Sequence, residues 1–149
     1  MTSATPLFSD RFSFDGRGPE LARVHWEFAG RSLKAIDYTN YAFDGEGRIT
    51  ERDSRGRVAG RFHVTFTGLQ VVMITPEEVI GEQHLPTNFS ALVPAAIFDM
   101  GRTPWLESFD QQHLSKCKHY KLLFYDELFD MICKGVEIHP GSYPTPDAV

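Results

Sequence analysis

Between residues 57 and 66 the chain alternates: Phe62, Val64 and Phe66 fall on one face, Arg61, His63 and Thr65 on the other. A period of two is the mark of a half-buried strand. It fixes a β element here and splits the segment into an apolar and a polar face. An arginine and a histidine sharing a strand face are either solvated or line a polar cup. The two placements lead to different functions, and the pattern alone favours solvent, because charged groups are mostly exposed.

The same signature recurs along the chain. Residues 22–29 set Val24, Trp26 and Phe28 against Arg23, His25 and Glu27. Gly30-Arg31-Ser32 turns the chain into a second long strand over 33–43. Asp44-Gly45-Glu46-Gly47 is a strong turn. Residues 49–53 are short and polar, an edge strand or a loop. After 57–67 Gly68 breaks the run, and the apolar stretch 69–74 turns at Thr75-Pro76-Glu77-Glu78 into 79–85, which predicts a hairpin. Residues 89–101 fit either a helix with Pro94 in its first turn or two short strands broken at Pro94. Residues 104–114 read as helical. Residues 119–134 fit a helix capped by Gly135 or a hairpin around Asp126-Glu127. Short strands with regular turn signals predict an antiparallel sandwich or barrel.

At 149 residues the chain fits one domain, 1–149, with a loose tail from about 140 marked by Pro140, Pro144 and Pro146. Its 12 phenylalanines demand a thick core or an aromatic-lined cavity. A net charge of −5 without a Lys/Arg run argues against nucleic acid. No apolar stretch has the length of a membrane span. The first residues carry no basic-then-apolar leader. Cys117 and Cys133 read as free thiols, and the expected compartment is the cytoplasm.

Three pieces, in order, resemble the phenolic acid decarboxylases, small calycin-type β-barrels. Ile36-Asp37-Tyr38 matches that family's Ile-Asp-Tyr strand. Val58-Ala59-Gly60-Arg61-Phe62 matches its Val-Ala-Gly-Arg-Trp, and residues 69–87 resemble the hairpin that follows, with Pro86-Thr87 at its Pro-Thr. Residues 123–132 are similar to a late hairpin of the family and favour strands over 119–138. MoaF-like proteins are similar in the same way. The resemblance implies a mainly β, antiparallel, lipocalin-type barrel meander with one or two short helices, and a homodimer. It also implies that Arg61, His63 and Thr65 point into the lumen, while Phe62, Val64 and Phe66 pack outward against a helix or a second subunit.

The departures bear on chemistry. The family's glutamate falls on Leu85, and its tyrosine pair on Phe12 and Phe14. Leucine transfers no proton and phenylalanine hydrogen-bonds neither carboxylate nor phenol. The family's decarboxylation is therefore not expected, and an enzyme here would be of a lyase or isomerase type without a metal. The candidate ligand-binding residues are Phe12, Phe14, Trp26, Tyr38, Arg61, His63, Gln83 and Leu85. Arg61 is the natural carboxylate receptor, and His63 the candidate acid or base. Tyr38 and Trp26 also read as core residues. Gly81, Gln83 and Leu85 share one strand parity, and Glu82 and His84 the other.

No metal site or cofactor is expected. His113, Cys117 and His119 have ligand types but no second cluster, and the His-x-His spacing of a cupin is absent. Gly45 and Gly47 lie in a hairpin turn rather than a phosphate loop, and no serine has an elbow context. Two functions follow. One is a barrel that binds or converts an apolar or aromatic acid anchored by Arg61. The other is a non-catalytic interaction or assembly domain whose barrel is filled by its own side chains. An internal cavity separates them.

Overall fold

The alternating runs pair into two antiparallel sheets. The computed structural model describes residues 4–12, 19–27, 30, 32–43, 45–52, 56, 59–86 and 96–144. These hold nine strands: β1 (Thr5–Leu7), β2 (Glu20–Glu27), β3 (Ser32–Asn40), β4 (Gly60–Thr67), β5 (Val71–Pro76), β6 (Ile97–Gly101), β7 (Lys118–Leu123), β8 (Glu127–Cys133) and β9 (Gly135–Pro140). One sheet has the order β1-β6-β7-β8-β5, the other β2-β3-β4-β9. The one α-helix among these residues is a single turn, α1 (Pro104–Glu107), with Pro104 at its start and the Thr103 hydroxyl accepting from Leu106 N.

The sheets meet at a corner. β4 runs into β5 through Gly68, and β8 runs into β9 through Lys134. Because β4 pairs with β9 and β5 with β8, two long segments lie side by side and bend together. Lys134 N donates to Thr67 O at 2.8 Å and Gln70 N to Ile132 O at 2.9 Å, so hydrogen bonding continues across the bend. Gly68 has a φ of 61°, and a Cβ there would lie 2.9 Å from the Lys134 side chain. Glycine meets both demands. Elsewhere Tyr125 N donates to Pro19 O at 2.9 Å, tying the β7–β8 turn to the start of β2. The described strands form a bent pair of sheets with separate edges, not a closed barrel.

The core lies between the sheets. Ile36 and Tyr38 of β3, Phe62 and Val64 of β4, Leu122 of β7 and Phe129 and Met131 of β8 share it with Phe12 and Phe124. Each such side chain contributes about 1.5–3 kcal/mol on burial.

Several expectations need correction. Residues 79–85 do not return beside 69–74. They form two 3₁₀ turns, Glu77–Val79 and Glu82–His84, and β5 takes β8 as its partner instead. Gly81 N donates to His84 Nδ1 at 2.8 Å, a local bond that competes with a ladder. The helix expected over 104–114 shrinks to α1 and a 3₁₀ turn at Gln111–His113. The described end of 89–101 is the strand β6, and residues 89–95 lie outside the described set. The hairpin expected over 119–138 is present, but its second arm breaks at Lys134 and divides between the two sheets.

Candidate functional site

Strand parity decides which side chains can meet. Tyr38 pairs with Phe62 and Ile36 with Val64, and all four are buried in the core. Phe62 and Val64 therefore face inward, opposite to the placement that the family resemblance implied. The apolar row of β4 buries because that removes the most apolar surface from water. Arg61 consequently lies on the outer face, exposed, with its Nε donating to Thr39 Oγ1 at 3.1 Å. It anchors nothing inside the domain.

The interior positions are filled by the protein's own rings. Phe12 stacks on Tyr38 with centroids 5.2 Å apart, and Tyr38 on Phe62 at 5.6 Å. Phe124 lies 5.9 Å from Tyr38 and edge-on to Phe129 at 5.7 Å. The Tyr38 hydroxyl donates to Arg11 O at 3.0 Å, so its polar end is satisfied where it lies. Trp26 is exposed on β2, Gln83 is exposed in a 3₁₀ turn, and Leu85 is half-buried just after it. Phe14 lies outside the described residues. Of the seven candidates among the described residues, only Phe12 and Tyr38 come together in the core.

The outer face of β2-β3-β4-β9 carries the richer chemistry. Register aligns Arg23 with Asp37, Asp37 with His63, and His63 with His139. His25 Nε2 lies 3.0 Å from Asp37 Oδ2 without the alignment of a hydrogen bond. The rings of His63 and His139 stack at 4.9 Å, and Thr65 Oγ1 and His139 Nε2 share a hydrogen bond at 2.9 Å. Segment 141–144 straps this row. Gly141 N donates to Arg61 O at 2.8 Å, and Tyr143 N donates to Asp37 Oδ1 at 3.0 Å. His63 Nδ1 lies 2.9 Å from Gly141 O. A carbonyl only accepts, so Nδ1 carries the proton. The Tyr143 ring packs against His25 and His63 at 5.1 and 5.7 Å. The described start of the proline-rich tail, expected as loose coil, is thus tied to the sheet at Gly141 and Tyr143.

A second polar cluster lies on the far face of the other sheet, beneath the 102–117 segment. His119 Nδ1 and Thr103 Oγ1 are 2.8 Å apart, and His119 Nε2 lies 2.6 Å from Asp130 Oδ1. Lys121 Nζ donates to the same oxygen at 2.8 Å. All four residues are buried, and Trp105 packs 4.7 Å from the His119 ring. Burial pushes the Asp130 carboxyl up. The hydrogen bonds and charges of His119 and Lys121 outweigh it, and the net direction is below the ordinary carboxylate range. The order hydroxyl, imidazole, carboxylate resembles a nucleophilic relay. Thr103 Oγ1 is, however, already engaged as the cap of α1, and the group is sealed. It works as a tie holding the 102–117 excursion to β7 and β8. Arg102 completes the tie with bonds to the Leu114 and Cys117 carbonyls at 2.9 and 3.1 Å.

Sequence reasoning missed Asp37, His139 and Tyr143 as neighbours of His63. Their separations along the chain are set by sheet register and by the strap, which no local pattern announces. Among the described residues no set of histidine, cysteine, aspartate or glutamate side chains converges to hold a metal. No helix among them is long and apolar enough to cross a membrane. Cys117 and Cys133 are buried and unbridged, and burial pushes the Cys133 thiol up to about 12. Comparisons with protein-family models, curated proteins and solved structures gave no match for this chain.

Proposed function

We propose that this chain is a side-chain-filled β-domain that acts by binding a partner on its outer surface, not by holding an organic acid inside. One observation carries the reading. Tyr38, fully buried at 0% exposure, stacks on both Phe12 and Phe62 in the interior space that a bound organic acid would need. A ligand there would have to displace rings that are packed and, for Tyr38, hydrogen-bonded. The exposure of Arg61 supports the same view, since a carboxylate receptor needs a dry cup. The bent sheets are consistent with an open, calycin-like wall whose interior has become core. The two unbridged thiols suit a reducing, cytoplasmic setting.

The test is a thermal-shift titration with a panel of aromatic carboxylic acids that includes coumaric and ferulic acid. A ligand specific for the folded state raises stability by mass action, by about 2.7 kcal/mol at a hundredfold excess over Kd. The expected result is no saturable rise and no release of styrene products. A saturable rise with any of these acids that Arg61→Ala abolishes would restore the lumen-anchor reading.

A further inference from the structure

We infer that β5 is a self-association edge, at which two copies of this chain pair antiparallel and join their sheets. The inference rests on the surface-binding reading above and names its partner as a second copy. β5 has β8 on one side and, among the described strands, no partner on the other. An open edge of this length presents a row of backbone donors and acceptors. Its run Val71-Val72-Met73-Ile74-Thr75 contains no charge, and Met73 and Ile74 are 43% and 44% exposed. Val79, just beyond the strand, is 61% exposed. The other edges are guarded. β1 is three residues long. β2 carries Glu20, Arg23 and Glu27, the last paired with Lys34 at 3.7 Å. β9 carries Glu137 and ends at Pro140. Charges, proline and shortness are the devices that block edge pairing; β5 carries no charge and, like β9, meets proline only at its last residue, Pro76.

Charge distribution selects a second copy and the antiparallel sense. Exposed Glu77 and Glu78 follow β5 at one end. At the other, the exposed Lys134 lies along Gly68, its Cδ 2.9 Å from where a Cβ would sit. Pairing Met73 with Ile74 of the second copy sets Val71 opposite Pro76 and ends the ladder there. The 3₁₀ turn that carries Glu77 and Glu78 then lies at the end of the pair where the other copy's Lys134 lies. A parallel arrangement would place Glu77 and Glu78 against their own copies, and like charges across an interface are costly. The antiparallel pairing is two-fold symmetric and closes on itself, so it ends at a dimer instead of growing into a fibre.

Sedimentation velocity on the full chain tests this. The expected species has twice the 16.9 kDa chain mass. Met73→Lys, which sets a charge on the pairing strand, is expected to weaken association by tenfold or more while circular dichroism stays unchanged. Glu77→Lys with Glu78→Lys changes only exposed residues and provides a variant that keeps the fold. It is expected to weaken the dimer, and adding Lys134→Glu to restore it. A wild-type chain that sediments as a monomer at about 100 µM, well above the affinities of specific dimers, overturns the inference. A dimer unaffected by both sets of substitutions also overturns it. Neither outcome touches the filled-interior reading, which fails only through stabilisation by an aromatic acid.

Discussion

The rings of Tyr38 and Phe62 stack 5.6 Å apart across the register pair that joins β3 to β4. This pairing fixes the faces of both strands. With Phe62 inside, Arg61 and His63 must point the other way. Phe62→Ala is expected to cost about 3–5 kcal/mol, as a large side chain lost from a packed core does. Arg61→Ala is expected to stay within about 0.5 kcal/mol of wild type, as surface changes do. Urea unfolding of the two variants side by side checks the assignment. A large loss at Arg61 with a small one at Phe62 would mean that the faces are reversed.

Asp37 accepts from Tyr143 N and lies beside His25, although its carboxylate is buried. Asp37→Ala is expected to cost about 1–3 kcal/mol, the range for leaving a buried donor unsatisfied. It should also free the 141–144 strap. Hydrogen exchange at the Tyr143 amide should then speed up strongly, while amides of β8 keep their protection. An unchanged Tyr143 rate would show that other contacts hold the strap.

Much of the fold was legible because strand periodicity is local. The alternation at 22–27 and 60–67 comes from neighbouring residues, and β2 and β4 follow from it, whereas the pattern of 119–134 fits a helix as well as the β7–β8 hairpin and only the resemblance of 123–132 to a late hairpin favoured strands. Partner choice is not local. Nothing within 69–85 says that β5 will prefer β8 to the stretch just after it. That choice depends on Phe129 and Met131 filling the core beside Val72. The face of β4 was misjudged for a related reason. A five-residue motif around Arg61 carried the family's inward arginine with it, whereas the apolar row at Phe62 and Val64 followed the simpler rule of burial. The strapped row at His63 was illegible because Asp37, His139 and Tyr143 meet it only through register and a returning tail.

Cys117 and Cys133 are both buried, and desolvation, the largest influence on Cys133, holds it in the thiol form. Only the thiolate attacks a disulfide reagent. At pH 8 the native chain is therefore expected to react with a negligible fraction of an aromatic disulfide probe over minutes. Both cysteines should react at once in denaturant. Rapid labelling of the native chain at either position would mean that the covering segment, 102–117 for Cys117 or the sheet corner for Cys133, opens readily.

The pH dependence of stability should report on Asp130. Its folded value lies below its ordinary one because His119 and Lys121 hydrogen-bond the ionised form. A depressed carboxylate stabilises the fold fully above its unfolded pKa, about 3.9. That contribution is lost as pH falls through the lower folded value. Wild type is thus expected to lose stability from about pH 4 downward, and Asp130→Ala to show a flatter acid limb. At neutral pH Asp130→Ala should cost about 3–5 kcal/mol, because it strands the Lys121 ammonium and an imidazole nitrogen beneath the 102–117 segment. Adding Lys121→Met should recover much of that loss, since the pair replaced by apolar atoms leaves no buried charge behind. Chemical unfolding of the two single variants and the double variant at pH 7 and pH 4 gives the coupling directly. If the losses of Asp130→Ala and Lys121→Met simply add, the two side chains act independently, and the tie that holds the 102–117 segment to β7 and β8 lies elsewhere.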